Sequence, residues 1–122
     1  MSISVPATNV AVVVGDLSSE PRIVQLPSGD VLVNYEVSTE TAAGRLSVPV
    51  QADGSGRRPV LHQGDRVVAV GVVRRRFYRA GGATMSRTEV VADAIGKPAA
   101  VSVRKALEAA ALSLATATPS RG

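Results

Sequence analysis

The chain has 122 residues, 45% apolar and 20% charged, so one packed domain is expected and a wholly disordered chain is excluded. It contains no cysteine, which excludes disulfides and thiolate metal sites and makes a cytoplasmic setting the default. The net charge of +4 is unevenly placed: residues 1–61 carry four basic and six acidic side chains, residues 62–122 ten basic and four acidic.

The apolar set is rich in Val and Ala, and only Tyr35, Phe77 and Tyr78 are aromatic. A fold built from β-branched residues favours pleated strands. No apolar run approaches the roughly 20 residues that span a bilayer. The start, Met1-Ser2-Ile3-Ser4, lacks the basic-then-apolar order of a signal peptide.

In chain order, Val10 to Val14 reads as a buried strand ended by Gly15-Asp16. Glu20-Pro21 marks a break, and Arg22 to Leu26 a second short strand. Pro27-Ser28-Gly29-Asp30 is a turn signal, because Pro presets one turn angle and Gly supplies the positive φ after it. Val31 to Thr39 alternates as a strand, with Val31, Val33, Tyr35 and Val37 on one side. Thr41-Ala42-Ala43-Gly44 is a hairpin loop, and Arg45 to Gln51 the return strand, where Pro49 points to an edge or a bulge.

Asp53-Gly54-Ser55-Gly56 is flexible, and Arg57 to Gln63 holds at most a short helical turn stopped by Gly64-Asp65. Val67 to Val73 is the clearest strand and continues through Phe77; Ala80-Gly81-Gly82-Ala83 turns it back into Arg87 to Asp93. After Gly96-Lys97-Pro98, Val103, Leu107, Ala110 and Leu114 recur at helical spacing, predicting an amphipathic helix over 99–117 with Thr118 to Gly122 frayed. The division is residues 1–96 as a barrel domain and 97–122 as a helical extension. Short strands with turns between them, and a helical insert between the third and fourth barrel strands, point to an all-β, five-stranded OB-fold barrel with a C-terminal α-helix.

Three stretches resemble the bacterial, actinobacterial-like single-stranded DNA-binding protein family. They are Asn9 to Leu17 with Glu20-Pro21 and Leu26 to Gly29; Gly64 to Gly71 ending in Arg74-Arg75-Arg76; and Arg87 to Asp93. The resemblance implies an OB barrel that assembles as a tetramer or dimer and binds single strands in replication, repair and recombination. It also implies an acidic recruitment tip, whereas this sequence carries a helix pattern and reads Pro119-Ser120-Arg121-Gly122, so a divergent member lacking the tip is expected. Tyr78 falls where the family has a stacking aromatic. Ala42-Ala43 and Leu46 stand where others are expected, and each missing stack lowers affinity by roughly 1–3 kcal/mol.

The stretch Arg66 to Thr88 holds six arginines and no acid, a field of one sign that suits a polyanion. The candidate nucleic-acid contacts are Arg74, Arg75, Arg76, Tyr78, Arg79, Arg87, Arg45 and Tyr35. By strand parity Arg74, Arg76 and Tyr78 share one face and Arg75, Phe77 and Arg79 the other, and the first is favoured as the groove. Phe77 reads as core rather than platform, and Tyr35 as a half-buried strand residue rather than a stacking one. His62 is the only histidine, so no metal site, cofactor or catalytic triad is expected.

The leading expectation is a non-enzymatic protein that binds single-stranded DNA without strong sequence preference, as a cytoplasmic, nucleoid-associated homo-oligomer with no membrane or small-molecule partner. The alternative is an OB-fold scaffold with weak or lost DNA binding, self-associating through barrel or helix. RNA is a third possible ligand, since an Arg-rich hairpin does not distinguish the sugars.

Overall fold

The computed structural model describes residues 6–117. The readings for Met1–Ser4, for Thr118–Gly122 and for an acidic tip lie outside the described residues. Six strands and one helix follow in order: β1 (Ala11–Leu17), β2 (Arg22–Gln25), β3 (Val31–Thr41), β4 (Gly44–Asp53), β5 (Arg66–Ala80), β6 (Ala83–Gly96) and α1 (Val101–Ala117). The sheet runs β1-β5-β6-β4-β3-β2, and a further β1–β3 pairing closes it. Five strands form the ring, and β2 hangs on the outer edge of β3 as a short excursion.

The seams of the ring are short. β1 meets β3 only at Asp16↔Ser38 and Leu17↔Val37. β4 meets β6, in parallel, only over Val50–Ala52 and Val90–Ala92. All other contacts are antiparallel ladders between hairpin partners or between β1 and β5.

Alternation decides what fills the ring. Leu17, Val33, Tyr35, Val37, Val50, Val67, Ala69, Val90 and Ile95 point inward and form one core. A five-stranded ring is narrow, so mostly Val with a few larger side chains fills it, and burying each Val or Leu stabilises by about 1.5–3 kcal/mol.

Two glycines permit this geometry. A Cβ on Gly15 would stand 2.2 Å from the Ser38 carbonyl oxygen, where β3 crosses β1 to close the ring. A Cβ on Gly71 would stand 1.9 Å from the Val91 carbonyl oxygen. Gly71 lies at a β-bulge: Val70 pairs with Ala94 and Gly71 with Ala92, so Asp93 has no opposite residue. Bulges bend and twist a strand, and this one falls beside the parallel β4–β6 seam.

Several expectations are corrected. β1 does not end at Gly15-Asp16 but runs to Leu17, and it alternates rather than being buried throughout: Val12 and Val14 are about half exposed. The helical turn expected over Arg57–Gln63 is absent. Pro59 removes a backbone donor and disfavours helical geometry at Arg58. The segment runs as an irregular loop that plugs the ring with Leu61, and Gly64 turns it at φ 92°. Of the two readings of Pro49 the edge one holds and the bulge does not: β4 pairs without interruption to β3, and β6 joins its other side only from Val50.

The helix starts at Val101, two residues later than its pattern, and packs on the outer face of β5 and β6. Val103 is fully buried against Val68 and Val70, with Ala106, Leu107 and Ala110 around them. Leu114, part of the expected stripe, is about half exposed where the helix passes the barrel. Among the described residues no helix is long and apolar enough to cross a membrane.

Candidate nucleic-acid interface

Beyond Arg74 and Glu89, β5 and β6 continue as a two-stranded arm whose side chains are exposed on both faces, Arg87 only partly. Its tip is a two-residue turn in which Gly81 and Gly82 both take positive φ, 58° and 81°. Such a mirror-image turn matches the right-handed twist of the strands it joins, and glycine adopts it without strain.

Cross-strand register sorts the arm's side chains. Arg74↔Glu89, Arg76↔Arg87 and Tyr78↔Met85 stand on one face. Arg75↔Thr88, Phe77↔Ser86 and Arg79↔Thr84 stand on the other. The parity division read from the sequence therefore holds for all six β5 residues.

The Tyr78 face is organised by Glu89, a carboxylate only 4% exposed. Arg74 donates to one of its oxygens; Arg76 lies 3.6 Å and the Arg87 Nε 3.9 Å from the other. Arg74 also donates to Gln51 Oε1 at 2.8 Å, and Arg87 to Glu36 Oε1 at 2.9 Å. Ser47 donates to Glu36 Oε2 at 3.0 Å, and Gln51 to Asn34 Oδ1 at 3.2 Å. These bonds tie the arm's base to β3 and β4. Three of the arginines counted as free cations in the sequence are therefore partly neutralised. Each still exposes 40–46% of its side chain to water.

Tyr78 is 40% exposed, and the Arg76 guanidinium sits 5.5 Å from its ring centre. Beside Arg87 the face dips into a polar depression of about 330 Å³, lined by Ser19, Glu20, Arg22, Asn34 and Glu36.

On the Phe77 face, Arg75 donates to Ser86 Oγ at 3.1 Å and lies 5.3 Å from the Phe77 ring centre. Arg79 donates to the Gly82 carbonyl at 3.0 Å. Neither reaches a carboxylate among the described residues. Phe77 is 64% exposed, so the expectation that it is core is overturned: at its position no opposing layer of barrel remains.

The remaining candidates stand apart. Arg45 lies on the β3–β4 hairpin, donating to Ser38 Oγ at 3.0 Å and facing Glu40 at 3.7 Å. Tyr35 is 4% exposed inside the ring, and burial raises its phenol above the usual value, so it has no free ring face for a base. Glu89 was missed by sequence reading, although counting back from the Gly81-Gly82 turn puts it opposite Arg74. No group of three His, Cys, Asp or Glu side chains that could hold a metal occurs among the described residues. No protein-family model matches the chain, and no curated protein matches it.

Proposed function

We propose that the chain is a non-enzymatic protein that binds single-stranded DNA without strong sequence preference. The observation that carries this reading is the β5–β6 arm, which projects five arginines and two exposed aromatic rings from a closed barrel. Guanidiniums hold phosphates without reading sequence, and an aromatic ring stacks on any base. The ring order β1-β3-β4-β6-β5, with its one parallel pair between β4 and β6, supports an OB-type barrel, a fold used widely for single strands. The resemblance to the bacterial single-stranded DNA-binding family fits the same reading, with replication or repair as the setting and a homo-oligomer as the assembly.

The test is titration of labelled oligo-dT at low and moderate salt. Binding that weakens with salt, with a slope of about −0.7 per neutralised phosphate, is expected. No binding at low salt sinks the proposal. An RNA oligomer of matching sequence, used as competitor, decides between the sugars.

A second reading has its own observation. Arg74, Arg76 and Arg87 are partly neutralised, and Leu112 on the helix is 70% exposed, which favours a scaffold that self-associates through α1. A monomeric mass for the full chain by light scattering would eliminate it.

A further inference from the structure

We propose that the opposite face of the arm, built from Arg75, Phe77 and Arg79, is a second contact for single-stranded nucleic acid, so that one strand engages the arm on both sides. This rests on the function proposed above and changes where its charge acts.

The two faces differ in electrostatics. On the Tyr78 face every arginine reaches a carboxylate, either Glu89 or Glu36. On the Phe77 face, among the described residues, the arginines' polar partners are neutral oxygens, Ser86 Oγ and the Gly82 carbonyl. A phosphate approaching Arg74 competes with an anion already in place. A phosphate approaching Arg75 or Arg79 displaces only weaker, neutral acceptors and water. Per arginine, the disfavoured face therefore offers the less compensated positive charge.

The spacing sets a ring between two cations. Arg75 and Arg79 are four residues apart on one strand, about 13 Å, with the Phe77 ring midway. The Arg75 guanidinium lies over one face of that ring, so a base can stack on the guanidinium plane or on the exposed remainder of the ring. Val73, about half exposed at the root of the face, adds apolar area below the ring. The opposing β6 side chains are Thr84, Ser86 and Thr88, which are small and uncharged, so nothing repels a polyanion. An acidic peptide would satisfy the arginines, but it would leave the exposed ring unused unless it carried its own aromatics.

Three forms of the full chain are titrated beside the wild type with labelled oligo-dT: Phe77→Ala, Arg75→Gln/Arg79→Gln and Tyr78→Ala. Thermal melts verify that each retains the wild-type fold, as expected for an exposed arm. Phe77→Ala is expected to weaken binding about five- to a hundredfold, the range of one lost stack. Arg75→Gln/Arg79→Gln is expected to reduce the salt slope by about 1.4, two phosphates' worth. If both bind like wild type while Tyr78→Ala weakens binding, this inference fails and the broader reading stands. If the wild type itself does not bind at low salt, the broader reading fails and takes the inference with it. If Phe77→Ala lowers the mass in solution and leaves DNA affinity unchanged, the face joins copies of the chain, which also overturns the inference.

Discussion

Glu89 shows how one residue can change the meaning of a charge run. Removed from water, a carboxylate is stable only when paired, and here three half-exposed guanidiniums surround it. Glu89→Ala is expected to destabilise the fold by about 1–3 kcal/mol in urea titrations, below the usual cost of breaking a fully buried pair because the arginines can rehydrate. The two tyrosines separate by the same logic of burial. Tyr78→Ala is expected to weaken oligo-dT binding about fivefold or more with little effect on the melting temperature. Tyr35→Ala is expected to cost about 3 kcal/mol or more of stability, because it empties the ring. Parity made the two faces of the arm legible in the sequence. It could not show that the barrel wall ends near Val73, which exposes Phe77, or that Tyr35 on β3 is fully enclosed in the ring core.

Among the elements, the strands and turns were legible because their signals are local. The Pro27–Gly29 and Gly81–Gly82 turns require residues that tolerate their angles, and β3 alternates plainly. The helical turn at Arg57–Gln63 failed because the loop's conformation is decided by Pro59 and by Leu61 entering the core, a long-range contact. The place where the expected barrel closes was also invisible: nothing near Gly15 announces that Ser38 will cross it. Gly15→Ala and Gly71→Ala each press a Cβ into backbone that cannot move aside. Each is expected to cost about 1–3 kcal/mol or more in thermal or urea unfolding, an overpacking penalty. Val103→Ala, at the one fully buried position of α1, is expected to cost about 2 kcal/mol and loosen the helix from β5 and β6.

For the molecule as a whole, acid is the direct probe. The hydrogen bond from Arg66 holds Asp16 below the usual carboxylate value, the Gln63 backbone N–H and then His62 do so for Glu20, and the Ser55 backbone N–H for Asp53. A carboxyl lowered in the fold contributes stability that is fully present above its ordinary value and lost as pH falls through the lowered one. The melting temperature is therefore expected to fall as pH drops below about 4, gently because all three groups face water. Asp16→Asn should flatten part of that slope; an unchanged profile would remove the Asp16–Arg66 pair from the account.

The two short seams give the barrel a grain. The β1-β5-β6 leaf and the β2-β3-β4 leaf are each held by long ladders, but only two backbone ladder pairs join them on one side and three on the other. Thermal breathing will follow that line, the leaves parting like the halves of a hinged shell before either frays within itself. In deuterium exchange, the amides that bridge Val50–Ala52 and Val90–Ala92 should therefore label earlier than those of the β1–β5 ladder. A strand lying across both leaves would slow that labelling without touching the seam.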